Sequence, residues 1–284
     1  MKTGFIIFAV AVLATLNSGA WAQNVAHYGA TAMGQVSSGD FAPYFIGSLN
    51  GGRTPRKNSA LLDFGAKVDI DRGRRFSWGA GVEVITGYSS ANSYDRWYDE
   101  TDTWGKVSNR PAAIWIQQLY AELKFRGIFV RVGQKDHCSA LLDESLSSGD
   151  LTRSSNARGI PGIEGGFIDF QDIPFTNGWV QIDGVIEYGR FTDDGFGHDQ
   201  FNYYNYVWTR DLNYTYKRCF FRTKPSQPLS ITVGMQTAGQ FGGSWRHYYM
   251  GKVINSESRG FRFKDVITMF FPIQGDSKDG YYEG

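Results

Sequence analysis

The chain has 284 residues, of which 16% are aromatic and 35 are glycine, and it carries 29 basic and 28 acidic side chains. A net charge of +1 argues against a general nucleic-acid-binding protein, because such proteins usually carry an excess of positive charge. A mean hydropathy of −0.34 excludes a membrane protein built of several helices, since each spanning helix needs about 20 apolar residues. The length suits one large all-β domain. The composition is unusual in being aromatic and glycine-rich and yet hydrophilic on average.

Residues 1–22 have the features of a secretory signal peptide. A positive charge near the N-terminus precedes an apolar run at 5–16, which is too short to span a bilayer. The segment ends in Ala20-Trp21-Ala22, with small residues at the two positions that a signal peptidase reads. We expect cleavage before Gln23 and export of the mature chain, 23–284; an uncleaved membrane anchor is the alternative.

Alternation of apolar and polar residues, the signal of a β-strand, recurs along the rest of the chain, and no convincing amphipathic helix interrupts it. The alternating runs cover residues 62–70, 76–88, 115–125, 128–133, 179–189 and 229–235. Their polar faces are rich in glycine and charge. These faces would meet water in a soluble β-sandwich, whereas in an outer-membrane barrel they line the lumen and the apolar faces meet lipid. The run lengths favour the barrel, because a tilted spanning strand needs about 9–11 residues.

The connections between the runs are of two kinds, which alternate along the chain. The short ones are 71–75, 126–127, 171–178 and 224–227, and the long polar ones are 37–58, 89–111, 135–162, 192–211 and 239–262. Outer-membrane barrels have short periplasmic turns and long external loops, so this alternation favours them over a sandwich. We therefore predict an all-β fold, a transmembrane antiparallel β-barrel of the outer-membrane type.

The C-terminal end of the chain does not resemble the last strand of a closed barrel. Such a barrel ends on a strand that pairs with the first and leaves no open edge. Residues 275–284 instead have the composition of a loop. We count nine strands and a doubtful tenth at 263–271, and we expect 23–284 to be the N-terminal part of a larger, incomplete barrel.

Motifs for catalysis and for structural metal binding do not occur in the sequence. The densest acidic cluster, Asp99, Glu100 and Asp102, has the composition of a solvated loop. The four histidines lie in different segments, so their spacing gives no support to a barrel hydrolase with a Ser/His pair. We expect neither enzymatic activity nor a cofactor. Cys138 and Cys219 either form one disulfide or remain separate thiols.

Short motifs follow one another in order between residues 118 and 243. They are QLYAEL from Gln118, RVGQK from Arg131, LSSG from Leu146, SSNAR from Ser154, IP from Ile160, IPFTNGW from Ile173 and GQFGG from Gly239. Each motif is weak alone, but the ordered series resembles the capsule assembly Wzi family of outer-membrane proteins, in its divergent Bacteroides-like branch.

The resemblance implies an outer-membrane barrel of roughly eighteen strands that binds capsular or other surface polysaccharide and helps to assemble or anchor it. The role is one of binding, without catalysis. The implied partners are the polysaccharide, outer-membrane lipid and the barrel assembly machinery, and no nucleic acid. Family members are longer than this chain, which agrees with its interpretation as a fragment. A porin-like channel for sugars or small solutes is the alternative function.

Two of the predicted external loops contain candidate polysaccharide-binding residues. In loop 144–166, Arg153, Asn156 and Arg158 would donate hydrogen bonds to a sugar or pair with an acidic polysaccharide, and Asp150 would accept them. In the alternative, this loop folds inward and its arginines pair with lumen acids without binding a ligand. Those acids are Glu122, Asp183 and Glu187.

Loop 193–211 contributes the aromatic candidates Tyr203, Tyr204 and Trp208, whose rings could stack on sugars. Their alternative role is an aromatic girdle just above the membrane. Asp and His residues of the same loop could bind a cation, but they lack the regular Asp-x-Asp-x-Asp-Gly spacing, so no metal site is predicted.

Overall fold

The computed structural model describes residues 8–13 (backbone only), 25–38, 50–54, 56–137, 142–143, 146–147, 149–150, 152–192, 195–226 and 228–260. The strands, in chain order, are β1 (Phe8–Leu13), β2 (Ala26–Gln35), β3 (Ser59–Val68), β4 (Phe76–Ser89), β5 (Asn92–Tyr98), β6 (Thr103–Asn109), β7 (Ile114–Phe125), β8 (Ile128–Gln134), β9 (Gly162–Phe167), β10 (Gln171–Asp172), β11 (Val180–Arg190), β12 (Tyr206–Arg210), β13 (Asn213–Thr223), β14 (Thr232–Phe241), β15 (Gly243–Tyr249) and β16 (Lys252–Arg259). Among the described residues, one short helix, α1 (Phe196–Gln200), lies between β11 and β12. The predicted all-β class, with large antiparallel sheets, is confirmed.

The chain divides into two compact units. Unit 1 comprises Met1–Asn92 and Arg110–Asp169, and unit 2 comprises Ser93–Asn109 and Phe170–Gly284. In unit 1 the strand order is β1-β2-β3-β4-β7-β8-β9, and each strand is antiparallel to the next. In unit 2, β10, β11, β13 and β14 pair in sequence, β12, β15 and β16 form a second sheet, and β5 and β6 form a two-stranded ribbon.

Two short connections of unit 1 show why the strands end where they do. Arg126 and Gly127 join β7 to β8, and Arg126 has φ +56°, as a two-residue hairpin turn requires. In the turn before β4, the Asp71 carboxylate accepts a hydrogen bond from the Gly73 N–H at 2.8 Å. The Asp71 N–H in turn donates to the Ser77 hydroxyl at 2.8 Å, so side chains rather than sheet pairing satisfy this backbone.

Five of the six alternating runs coincide with β3, β4, β7, β8 and β11 to within three residues. The sixth predicted run, 229–235, begins and ends too early in the sequence, because β14 begins at Thr232 and ends at Phe241. Three of the predicted long loops are wrong in part, because they contain regular structure: 89–111 contains β5 and β6, 192–211 contains α1 and β12, and 239–262 contains β15 and β16. Most of these elements are short and have aromatic residues among polar ones, so alternation does not reveal them.

Several predictions concern regions at the two ends of the chain. β1 lies within the segment predicted to be a signal peptide and pairs with β2; the removal of that segment stays a prediction. Segments 263–271 and 275–284 lie outside the described residues, and so does Cys138. Cys219, in β13, is a half-buried free thiol.

In the described part of the chain, no helix has the length and apolar character needed to span a bilayer.

The described strands do not close into a barrel, so the barrel stays a prediction. The strands of unit 1 nevertheless expose their apolar faces and bury their polar ones. Trp78, Leu123 and Val130 are register neighbours on β4, β7 and β8, and they are 46%, 56% and 50% exposed. On the opposite face Ser77 and Lys124 are paired neighbours and are only 4% and 3% exposed. This arrangement is the reverse of that in a soluble sandwich.

Opposite charges stand side by side across the buried face. Glu122, Arg131 and Glu164 are register neighbours on β7, β8 and β9. The Arg131 guanidinium donates to Glu122 at 2.9 Å and also to Glu164, and the Lys135 ammonium donates to Glu122 at 3.0 Å. Glu122 is 3% exposed, and a carboxylate so far from water needs partners of this kind.

Glycines on the polar face make room for these side chains. A Cβ on Gly79 would lie 2.9 Å from Glu122 Oε1 and 2.8 Å from the Val68 carbonyl oxygen, and Gly81 is covered in the same way by the Tyr120 ring. The glycine-rich composition therefore has a local cause: β4 has glycine at the positions where the side chains of β7 lie against it.

Gly79→Ala should lower the free energy of unfolding by about 1–3 kcal/mol, because the methyl group must displace Glu122 or the β3 backbone. The matched control is Gly65→Ala, on the polar face of β3, where the nearest atoms would be 4.0 Å away. We expect the control to be neutral or slightly stabilising. Thermal unfolding followed by circular dichroism in detergent compares the two, and equal melting temperatures would contradict this account.

Candidate functional site

Segment 50–54 of unit 1 lies against the buried polar face and is held there by one arginine. The Arg53 guanidinium is 2.6 Å from carboxylate oxygens of both Glu83 and Asp136, and 3.6 Å from Asp63. These acids belong to β4, to the segment after β8 and to β3. A single cation thus links three parts of the sheet through charge-assisted hydrogen bonds.

The backbone of segment 50–54 also makes hydrogen bonds with other parts of unit 1. Gly51 and Gly52 have φ of 62° and 73°, a region that favours glycine. The Gly51 N–H donates to the Ser155 carbonyl at 3.2 Å, and its own carbonyl accepts from the Gln117 side chain at 2.7 Å. The Gly52 N–H donates to the Asn156 side-chain oxygen at 3.0 Å. Segments 50–54 and 154–158 are therefore joined to each other.

Two predicted sugar ligands, Asp150 and Arg153, lie in a local turn. The Asp150 carboxylate accepts from the Thr152 hydroxyl at 2.6 Å, and from the N–H groups of Thr152 and Arg153 at 2.8 Å each. Burial alone would raise the pKa of Asp150, but these hydrogen bonds outweigh it and lower the pKa. Asp150 and Arg153 line a cavity of about 10 Å³, which holds about one water molecule.

The other two candidates in this loop, Asn156 and Arg158, also contact the protein itself. Asn156 accepts the hydrogen bond from Gly52 described above, and the Arg158 guanidinium donates to the Ile116 carbonyl at 2.7 Å. Glu122, one of the acids with which the loop arginines would pair in the alternative, is paired with Arg131 and Lys135 instead. In this loop the predicted residues thus make contacts that organise the protein.

In unit 2 the predicted aromatic residues fall into two groups. Tyr204 packs with Trp97 and Trp104 of the β5–β6 ribbon, at centroid distances of 4.9 and 5.0 Å. Tyr203 lies 5.6 Å from Tyr248 and 6.5 Å from Trp208. The two adjacent tyrosines therefore belong to different ring clusters.

A cavity of about 820 Å³ lies beside α1 in unit 2, at the ends of β11 and β12. Its size is within the range of about 300–1,000 Å³ that is usual for small-molecule sites. Aromatic and polar side chains line it together; they include Phe191, His198, Trp208, Arg190, Arg210, Asp211 and Gln240. Of the predicted site residues, Trp208 is the one that the structure places in this wall.

The charged side of the cavity is organised around Asp211. The Arg190 guanidinium donates to one of its carboxylate oxygens at 2.8 Å, and Arg210 lies 3.0 Å from the other. The hydrogen bond from Arg190, reinforced by Arg210, lowers the pKa of Asp211, so this carboxylate is ionised at neutral pH. Each guanidinium has five N–H donors, so both arginines can also donate to a ligand.

Sequence reasoning missed Arg190, Arg210 and Asp211. The sequence did contain a signal for two of them, because Arg210 and Asp211 lie two and three residues after the predicted sugar-binding Trp208. Arg190 had no such signal: it reaches Asp211 only because β11 pairs with β13, where Arg190 is opposite Asn213. Regarding metal, the described residues contain no group of three or more suitable ligands, and Asp193 and Asp194 lie outside them.

Comparison with protein-family models, with curated proteins and with solved structures gives no significant match to this chain. The resemblance to the capsule assembly Wzi family accordingly rests on its sequence motifs, and function has to be argued from the geometry described above.

Proposed function

We propose that this chain is a non-enzymatic β-barrel protein of the outer membrane that binds capsular or other surface polysaccharide and helps to assemble or anchor it. The observation that carries the proposal is the exposed apolar face of unit 1, which covers a buried network of charges. The resemblance to the Wzi family supports the same location and ligand class. Export through a cleaved signal peptide and insertion by the barrel assembly machinery belong to this proposal.

Lipid accounts for the exposed apolar side chains. The row of Trp78, Leu123 and Val130 crosses three neighbouring strands, and many further residues extend the same face. They include Leu62, Phe64, Phe76, Val82, Ile116, Leu119, Phe125, Ile128, Val132 and Ile163. Soluble proteins rarely expose contiguous apolar patches larger than a few hundred Å². In a membrane barrel this face meets hydrocarbon and the charged face lines the lumen.

The cavity in unit 2 fits a saccharide by its chemistry. Sugar rings have apolar C–H faces and hydroxyl edges, so they suit an aromatic plate with planar hydrogen-bonding groups beside it. Trp208 supplies the plate, and Arg190, Arg210 and Asp211 supply the polar groups. We place saccharide binding here rather than at Asp150, Asn156 and Arg158, because each of these side chains makes hydrogen bonds within the protein.

The porin alternative is less well supported. Segments 50–54 and 154–158 are hydrogen-bonded to each other, and Arg53 ties the first of them to the polar face. In a barrel these segments would occupy the lumen and obstruct the passage of solutes. A binding protein tolerates such an obstruction, whereas a channel does not.

Spin labels on single cysteines test the membrane location, after Cys138 and Cys219 are replaced by serine. In protein reconstituted in lipid, labels at Leu123→Cys and Val130→Cys should be accessible to oxygen and shielded from a water-soluble nickel complex. Ser77→Cys, on the buried face of β4, and Arg72→Cys, in an exposed turn, are the controls. If labels at 123 and 130 are as accessible to nickel as the label at 72, the exposed face does not meet lipid.

Conductance distinguishes the plugged barrel from a porin. We expect the wild-type protein in planar bilayers to give no stepwise current, and Arg53→Ala to give measurable current, because segment 50–54 loses its ion pairs. Arg74→Ala is the control, since Arg74 pairs with Asp71 in an exposed turn. Stepwise current from the wild-type protein would favour the porin alternative.

Trp208→Ala should weaken binding of polysaccharide purified from the surface of the source cells by about 2 kcal/mol, or roughly 30-fold, as truncation of an aromatic anchor does. Trp208→Phe should retain part of the affinity. Trp179→Ala is the matched control, because Trp179 is 59% exposed and does not line the cavity. Biolayer interferometry measures all four proteins, and equal affinities for wild type and Trp208→Ala would place the saccharide elsewhere.

A further inference from the structure

The β5–β6 ribbon of unit 2 contacts the helix that forms one wall of the cavity. Arg96, in β5, donates from one terminal nitrogen to the Asp199 carbonyl at 2.9 Å and to the His198 carbonyl at 3.3 Å. Both carbonyls belong to the last turn of α1, where backbone acceptors lack partners within the helix. A cation at this end also interacts favourably with the helix dipole. Arg96 therefore caps α1 from a strand more than 100 positions earlier in the chain.

Arg96 also contacts the aromatic residue that follows the helix. Its guanidinium carbon is 5.2 Å from the centroid of the Tyr203 ring, a cation–π distance. The Tyr203 hydroxyl donates to the same His198 carbonyl at 3.1 Å. Burial raises the pKa of Tyr203, so this hydroxyl stays protonated and remains a donor near neutral pH. The His198 carbonyl of α1 thus accepts hydrogen bonds from both Arg96 and Tyr203.

Other residues of the ribbon stabilise the same segment. The Asn109 side-chain amide donates to the Asp199 carboxylate. The backbone N–H of Trp97 donates to the Asn202 carbonyl at 2.8 Å. The ribbon consequently supports the chain from the end of α1 to the residue before Tyr203.

We infer that Arg96 is the positioning residue of the saccharide cavity, in which it has no lining role itself. It holds α1 and Tyr203 so that the His198 ring keeps its place 6.1 Å from Trp208. Without the cap, α1 frays and His198 leaves the wall, while Trp208 keeps its strand pairing with Arg246 of β15 and Arg190 keeps its hydrogen bond to Asp211, which lies between β12 and β13. This inference rests on the proposed saccharide binding at the cavity.

Two measurements on full-length Arg96→Ala, Arg96→Lys and Lys252→Ala test the inference. Lys252 is an exposed basic residue at the start of β16, so its variant is the control. Arg96→Ala should speed hydrogen exchange of the α1 amides about tenfold and weaken binding of the purified surface polysaccharide about tenfold, as loss of charge-assisted hydrogen bonds does. Arg96→Lys keeps a cationic donor, so it should restore most of the protection of the α1 amides and most of the polysaccharide affinity. The melting temperatures of both Arg96 variants should stay close to that of the wild type.

The outcomes separate this inference from the proposed function. If the wild-type protein binds no polysaccharide, the proposed function fails, and hydrogen exchange still decides whether Arg96 holds α1. If the wild type binds but Arg96→Ala binds equally well, or if exchange of α1 is unchanged, the positioning role is overturned. A loss of binding that Arg96→Lys does not recover, together with a lowered melting temperature, would show a general folding defect and also overturn it.

Discussion

Charge pairing across neighbouring strands is the constraint on which unit 1 depends. Glu122, Arg131 and Glu164 are opposite one another on β7, β8 and β9, so all three must share one face, on which Glu122 is buried. Since side chains alternate along a strand, Leu123 and Val130 are then forced to the other face. A slip of one residue would put Arg131 among apolar side chains and an apolar residue among the charges. The exposed apolar surface is thus a consequence of the buried network.

The same network explains two features that look unrelated. Glycines such as Gly79 are needed where a charged side chain crosses from the neighbouring strand, so the composition follows from the packing of the polar face. Carboxylates of that face also pair with a cation from outside the sheet, because Arg53 binds Glu83 and Asp63. Segment 50–54 is drawn against the strands as a result, which connects the electrostatics of the wall with the proposed obstruction of the lumen.

Unit 2 follows a different principle, because aromatic packing and backbone capping organise it. Trp97, Trp104 and Tyr204 pack as a small cluster, and Arg96 caps α1 nearby. Alternation predicted β4, β7 and β8 almost to the residue, since each has one apolar face. It missed β5, β6 and β12: β12 pairs with the distant β15, and the β5–β6 ribbon contacts α1 and Tyr204. The prediction of Trp208 as a site residue came from residue type alone, and its neighbours in the cavity were not predicted.

The sequence by itself determined the all-β class, the positions of the long strands and the presence of two unlike faces on each, because alternation is a local property of the chain. It also named Trp208 and Tyr203 as aromatic candidates, but it could not separate Tyr203 from Tyr204. The lengths of the runs and connections favoured exposure of the apolar face, which the structure shows in unit 1, whereas only the tertiary structure decided which residues complete the cavity. The physical reason is that Arg190 meets Asp211, and Arg96 meets α1, through strand pairing and helix capping between distant segments, which no local pattern encodes.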